Sequence, residues 1–164
     1  MKSRAIFNGR AFTLVELVIV MGIMLATLVA ATPIYGNLYF STQLDEAKSD
    51  LIQKFRTARQ RAVAGFDNKT HGVYLDINFS GTQDRYILYS RSGTSYGTAD
   101  PTDTIVVLDQ ALQLERDPAQ LSSADINFTK GGGAPSVNGT FTIRHVSEGI
   151  RTIRITPLGL IREQ

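Results

Sequence analysis

Residues 11–31 read AFTLVELVIVMGIMLATLVAA, and this apolar stretch decides how the rest of the chain is interpreted. No Asp, Glu, Lys or Arg occurs from Leu17 to Leu44, and Glu16 is the only acidic residue among the first 44. A helix that crosses a bilayer needs roughly 20 predominantly apolar residues. The sequence therefore predicts a transmembrane helix over residues 12–40, with one carboxylate inside its apolar run.

Three interpretations of this N-terminus compete. A secretory signal peptide would combine the basic start with Val29-Ala30-Ala31 as its cleavage site. A plain membrane anchor would keep its basic N-terminal end in the cytoplasm. Neither explains Glu16, because a carboxylate near the centre of a membrane helix costs roughly 2.5–3.5 kcal/mol on insertion scales. An interpretation that explains Glu16 must give its carboxylate a positively charged partner.

The segment Ala11-Phe12-Thr13-Leu14-Val15-Glu16-Leu17, with its basic leader and apolar helix, resembles the N-terminus of type IV pilins and type II secretion pseudopilins. The resemblance implies that residues 1–11 are a leader peptide. It implies that a prepilin peptidase/methyltransferase cuts between Ala11 and Phe12 and methylates the new N-terminal amine of Phe12. It also implies that Glu16 forms an assembly salt bridge with the N-terminal amine of a neighbouring subunit, since a buried charge pair is tolerated where either charge alone is not.

Two further residues bear on the resemblance. Pro33 matches the proline that often kinks the helix in this family, because proline removes one helical hydrogen bond and clashes with the previous turn. Ala11 departs from the family, which usually has Gly before the cut. Cutting after Gly9 instead would place Glu16 at the seventh mature position and break the pattern, so the Ala11–Phe12 bond is the predicted site.

The helical pattern continues beyond the apolar run to about residue 64. Apolar residues recur there at the three- and four-residue spacing of one helix face: Leu44, Ala47, Leu51, Phe55, Ala58 and Ala62. Gly65 is a natural C-terminal stop. The predicted fold is α+β, with a long N-terminal transmembrane and amphipathic α-helix packed on an antiparallel β-sheet. Residues 41–164 would form the pilin-like globular domain.

The second half of the chain alternates with a period of two, which predicts strands. These fall at residues 72–77, 84–90, 104–108, 124–129, 139–146, 150–156 and 160–162, while residues 110–117 are ambiguous. A long helix followed by strands, a Gly-containing loop, a hairpin and a last strand entered through Gly159 resembles the minor pseudopilins of the GspH/FimT group. This part of the resemblance rests on overall pattern.

No feature of the sequence indicates catalysis. The chain has no Cys, which excludes a thiolate metal site and a Cys nucleophile, and it lacks a Gly-x-Ser-x-Gly motif. Its two histidines, His71 and His145, are far apart in sequence and each is near a strand. We expect them to be surface or cross-strand residues, and we predict no enzyme activity, no cofactor and no metal.

The charge balance argues against general affinity for nucleic acid. The net charge is +2, and loss of residues 1–11 would leave 14 basic against 15 acidic residues, a net charge of −1. Some GspH/FimT-type pilins bind DNA through paired arginines near the final Gly, and this chain has the single Arg162 there. Clustered cations suffice for phosphate binding, so the possible DNA contacts are Arg144, Arg151, Arg154 and Arg162.

The resemblance as a whole implies a minor pilin or pseudopilin, a structural subunit of a type IV pilus or a type II secretion system pseudopilus. Its partners would be the prepilin peptidase, the other pilins or pseudopilins of the filament, and the cytoplasmic membrane. It would be a single-pass inner-membrane protein with its globular domain outside the cytoplasm before assembly. The alternatives are a DNA-binding minor pilin for DNA uptake and a membrane-anchored exported binding module.

Overall fold

The computed structural model describes residues 13–79, 81, 83–116, 121, 123–147 and 149–163, without the side chains of residues 30–34 and 37. The predicted leader, the Ala11–Phe12 cleavage site and the methylated Phe12 therefore lie outside the described residues. The chain divides into two compact units, Met1–Leu38 and Tyr39–Gln164. All the strands that the structure describes belong to the second unit.

Helix α1 runs from Leu14 to Val63, and local sequence signals set both of its ends. The Thr13 hydroxyl oxygen accepts a hydrogen bond of 3.2 Å from the backbone N–H of Glu16. A Thr followed three residues later by Glu is the pattern of a capping box, which satisfies N–H groups that have no partner within the helix. At the other end Gly65 adopts a left-handed conformation with φ of 65°, which costs Gly little because it lacks a Cβ.

The prediction of a transmembrane helix is wrong. Within the part of the chain that the structure describes, no helix is both long and apolar enough to cross a membrane. The described apolar side chains at the N-terminal end run from Leu14 to Val29, which is 16 residues, whereas a span needs about 20. The fold is therefore corrected to an α+β fold without that membrane-spanning element.

Among the residues that the structure describes, eight strands form two four-stranded antiparallel sheets rather than the single sheet that the sequence predicted. Sheet A has the order β3-β2-β1-β5, and sheet B has the order β4-β6-β7-β8. Strand β4 lies in the segment that the sequence left ambiguous, and the other seven confirm the predicted strands to within a few residues. The bounds are β1 Thr70–Asp76, β2 Arg85–Arg91, β3 Thr104–Val107, β4 Leu112–Arg116, β5 Asp125–Phe128, β6 Gly139–His145, β7 Ile150–Ile155 and β8 Ile161–Glu163.

One hydrophobic core joins the C-terminal half of α1 to both sheets. The predicted helix face is confirmed, since Leu44, Leu51, Phe55, Ala58 and Ala62 are all buried in it and Ala47 packs against it. Phe55 is fully buried, and its ring centre lies 5.5 Å from that of Phe141 on β6. Because inward residues alternate along each strand, the helix covers one face of each sheet.

The segment between β2 and β3 folds back onto the outer face of sheet A. The Tyr96 ring stacks on Tyr74 with 4.6 Å between ring centres, and the Tyr96 N–H donates to Asp125 at 2.8 Å. Arg91 donates two hydrogen bonds, of 2.7 and 2.6 Å, to the carboxylate of Asp103. These contacts hold the polar loop that the sequence predicted in a defined position against the sheet.

A second set of contacts joins the C-terminal end of α1 to two turns. Arg59 donates through Nε to the carbonyl of Gly133 at 3.2 Å and through Nη2 to the carbonyl of Leu158 at 3.4 Å. Gly159, with φ of 73°, lies so close to Gly133 that a Cβ would overlap the Gly133 carbonyl oxygen. The last strand is therefore entered through a position that requires Gly for both its conformation and its space.

Candidate functional site

The first half of α1 exposes an apolar surface on every side. All the described residues from Thr13 to Val29 are exposed, with 80% of Leu14 and 74% of Val29 accessible. The exposed large apolar side chains are Leu14, Val15, Leu17, Val18, Ile19, Val20, Met21, Ile23, Met24, Leu25, Leu28 and Val29. A helix that is hydrophobic all round is normally buried. This segment therefore has the composition of a contact surface that another apolar surface covers.

Glu16 also occupies a helix-capping position that the sequence analysis missed. Its N–H is capped by Thr13, and its side chain lies in the first turn of α1. The helix N-terminus carries a partial positive charge that favours a carboxylate there. The signal was present in the sequence, because a Thr followed three residues later by Glu before an apolar run indicates a capping box. An assembly role for Glu16 has to be separated from this capping role.

Pro33 lies within the bounds of α1. Its side chain is outside the described residues, so the helix kink at this position stays a prediction. The neighbouring described residue Tyr35 is 71% exposed.

The structure does not bring the four candidate DNA-binding arginines onto one face. Residues 144, 154 and 162 alternate with buried isoleucines on β6, β7 and β8, which places them on the outer face of sheet B. Arg151 lies on the opposite face of β7 from Arg154. Its Nε donates to Asp45 of α1 at 2.9 Å. Arg144 is paired with Glu115 at 3.0 Å.

Arg154 and Arg162 are directly opposite each other on β7 and β8. Both are exposed, and neither forms an ion pair with a residue that the structure describes. Two of the four predicted contacts are thus adjacent, while the other two neutralise acidic partners. DNA binding stays an alternative function.

A four-residue ion network fastens the last two strands to α1. The Lys48 ammonium lies 2.6 Å from Glu163 of β8 and 3.0 Å from Asp45, which also accepts from Arg151 of β7. Hydrogen bonds from Arg151 and Lys48 lower the pKa of Asp45 to about 2, and the hydrogen bond to Glu163 raises the pKa of Lys48. Arg151 therefore has a structural partner in the folded chain.

This network predicts that part of the stability of the folded chain is lost at acidic pH. Because the folded-state pKa of Asp45 is below its ordinary value of 3.8, its contribution is present above about pH 4 and is lost as pH falls toward 2. Urea unfolding of Asp45→Asn should show a shallower loss of stability over that range than the parent. The difference should be about 1 kcal/mol or less, since the Asp45 side chain is 48% exposed.

Asp67→Asn is the matched control for Asp45→Asn, because Asp67 is exposed and forms no ion pair with a described residue. This control variant should lose stability between about pH 4 and pH 2 to the same extent as the parent. Parallel curves for Asp45→Asn and the parent would contradict the assignment of this sensitivity to Asp45.

Both histidines are cross-strand residues, one of the two positions expected, and both are buried rather than at the surface: His71 lies opposite Ser90 and His145 opposite Leu112. His71 is 0% exposed and its Nε2 donates to the Phe66 carbonyl at 2.9 Å. His145 is 3% exposed, and its Nδ1 accepts a hydrogen bond from the Ser147 N–H at 3.2 Å. The centre of its ring lies 4.5 Å from the ring centre of Phe40. Among the residues that the structure describes, no group of three His, Cys, Asp or Glu could hold a metal ion.

An open groove of about 630 Å³ lies beside the buried carboxylate of Asp84 and is also lined by Glu115 and Thr142. The Asp84 carboxylate accepts from the N–H of Asn78 at 2.6 Å and from the N–H of Leu114 at 2.5 Å. Because Asn78 follows β1 in sheet A and Leu114 belongs to β4 in sheet B, Asp84 joins the two sheets. Both of its oxygens are occupied by this structural role.

Comparisons of the chain with protein-family models, with curated proteins and with solved structures find no match.

Proposed function

We propose that this chain is a structural subunit of a filament of the type IV pilin or type II secretion pseudopilin kind. It is processed between Ala11 and Phe12 and joins its neighbours through the first half of α1. One observation carries the proposal, the exposure of apolar side chains on all sides of α1 from Leu14 to Val29. Packing of several like helices around it would cover every side of such a helix, as in the core of a bundle.

The charges at the start of α1 support this assembly mode. Phe12 precedes the helix cap Thr13 in the sequence, so cleavage at Ala11–Phe12 would add an N-terminal amine one residue before a helix end that carries a partial positive charge. A positive charge there is unfavourable unless a carboxylate offsets it. Glu16 of a neighbouring subunit would supply that carboxylate, and the pairing would set the axial register between subunits.

The proposed role assigns the remaining structure to a surface-forming domain. The unit Tyr39–Gln164 has its own core, so it does not need α1 residues before Tyr39 to bury its apolar residues. In this proposal the globular unit faces outward from the filament, and the chain acts through contacts rather than through a reaction.

The processing step is tested by intact-mass measurement. The full chain is produced in cells that contain a prepilin peptidase/methyltransferase. We expect a mass that corresponds to loss of residues 1–11 and addition of one methyl group, with Phe12 first. Cleavage after Ala31 or an unprocessed chain would contradict the proposal.

The assembly step is tested by two substitutions that separate the two roles of Glu16. Glu16→Gln keeps a residue that can complete the capping box but removes the charge, whereas Glu16→Ala removes both. We expect both variants to be absent from sheared filaments, because each lacks the partner of a neighbour's amine. Normal incorporation of Glu16→Gln would show that Glu16 acts only as a local cap.

A further inference from the structure

The edge of sheet A at β3 has an unusual composition for an exposed strand. Strand β3 is the outermost strand of the sheet and reads Thr-Ile-Val-Val, four β-branched residues without a charge. Ile105 is 45% exposed and Val107 is 48% exposed. β-branched residues favour strand pairing, and an exposed edge of this kind is a template for another strand.

The backbone groups that face away from the sheet belong to the same two residues. The Leu108 N–H donates to the carbonyl of Asp84 at 2.9 Å, in the register that places β3 opposite β2. Hydrogen-bonded pairs alternate along an antiparallel ladder, so Val106 bonds to β2 and its two neighbours do not. The N–H and C=O groups of Ile105 and Val107 therefore point outward.

The other three sheet edges carry features that block pairing. Strand β5 is covered by the chain itself, since Pro135 bridges to Phe128 and the Ser136 N–H donates to the Asn127 carbonyl. On β4 the Leu114 N–H donates to Asp84. Strand β8 is three residues long and includes Arg162 and Glu163. Charged, short or covered edges are the usual protection against edge pairing, whereas β3 is uncharged and no described residue pairs with its outer side.

We propose that β3 is an interface through which two copies of this chain pair by antiparallel strand addition. The two-fold axis passes Val106, so that Ile105 of each copy lies opposite Val107 of the other. Each of these two opposed pairs then exchanges two backbone hydrogen bonds, which gives four in total. The exposed side chains of both pairs fall on the same outer face of the extended sheet.

A second copy fits this edge because the edge is complementary to itself. The two residues with outward backbone groups are also the two with exposed apolar side chains, and they are symmetric about Val106. The acidic residue before the strand, Asp103, is neutralised by Arg91, so it adds no unpaired charge at that end. This surface is separate from the first half of α1, and the inference does not rest on the proposed filament.

Cysteine cross-linking of the full chain tests both the pairing and its register. The natural sequence has no Cys, so Ile105→Cys and Val107→Cys each introduce a single thiol at a half-exposed position. Opposed residues in a hydrogen-bonded antiparallel pair have Cα atoms about 5.5 Å apart, which a disulfide can bridge. We expect mild oxidation of an equal mixture of the two variants to give a disulfide-linked dimer.

The control is Ile150→Cys, a thiol at a position of 50% exposure on sheet B, which reports collisions and any association through α1. Each of the two edge variants oxidised alone should cross-link more slowly than the mixture, because neither residue lies opposite itself in the proposed register and like residues are only diagonal neighbours, about 7–8 Å apart. Cross-linking of the mixture at the control rate would overturn the pairing. Cross-linking of either edge variant alone as fast as the mixture would overturn the register.

Discussion

Substitution of Gly159 by Ala is expected to destabilise the globular unit by about 3–5 kcal/mol, which is enough to unfold many domains. The left-handed backbone at this position costs a residue with a Cβ roughly 1–2 kcal/mol. In addition, the Cβ would overlap the carbonyl oxygen of Gly133 and come within 2.9 Å of the Arg59 Nε. A carbonyl in a closed turn cannot move without breaking the contacts that Arg59 makes there. Urea unfolding followed by circular dichroism of the full chain measures the loss.

The variant Gly131→Ala separates the cost of the left-handed backbone conformation from the cost of the steric overlap. Gly131 has φ of 74°, almost the same as Gly159, but a Cβ added there would meet nothing within 4 Å. It should therefore cost only the conformational term of about 1–2 kcal/mol. Equal losses for Gly131→Ala and Gly159→Ala would show that the close approach of the two turns does not matter for stability.

Phe55→Asp is expected to abolish the native fold of the unit Tyr39–Gln164. Phe55 is fully buried in the core and packs on Phe141. Loss of a buried Phe side chain alone typically costs about 3–5 kcal/mol, and an unpaired carboxylate in the same site adds a desolvation penalty. The sum approaches the total stability of an ordinary domain. Loss of protected amides in sheets A and B in hydrogen exchange would report the unfolding.

Gln53→Asp is the matched control, because Gln53 lies on the exposed side of α1 two residues before Phe55. The same carboxylate at an exposed helix position should change stability by about 0.5 kcal/mol or less. A Phe55→Asp chain that retained the parent's exchange pattern would show that this face of α1 is not the core face.

The local signals in the sequence predicted most of the secondary structure. Gly65 predicted the end of α1, and the apolar spacing through Phe55 identified its buried face, because capping and periodicity act over only a few residues. The seven predicted strands were found for the same reason. Strand β4, Leu112–Arg116, stayed ambiguous in the sequence, and its pairing with β6 is what makes it a strand.

The prediction of a membrane-spanning helix failed because it inferred the surroundings of a long segment from its composition alone. The prediction placed a span over residues 12–40 because no charged residue follows Glu16 in that stretch, whereas no helix among the described residues is both long and apolar enough to cross a membrane. A residue's apolar character is the same whether it faces a bilayer, a neighbouring helix or its own sheet. The environment of each residue therefore had to come from the structure.

The sequence by itself determined the ends of α1, its core-facing stripe and the positions of most strands, because these depend on near neighbours in the chain. The tertiary structure decided the division of the strands into two sheets, the burial of His71 and His145, and the pairing of Arg151 with Asp45. Residues 45 and 151 are far apart in the chain, and no local pattern encodes which distant charges meet. Their contact exists only because hydrophobic packing brings β7 beside α1.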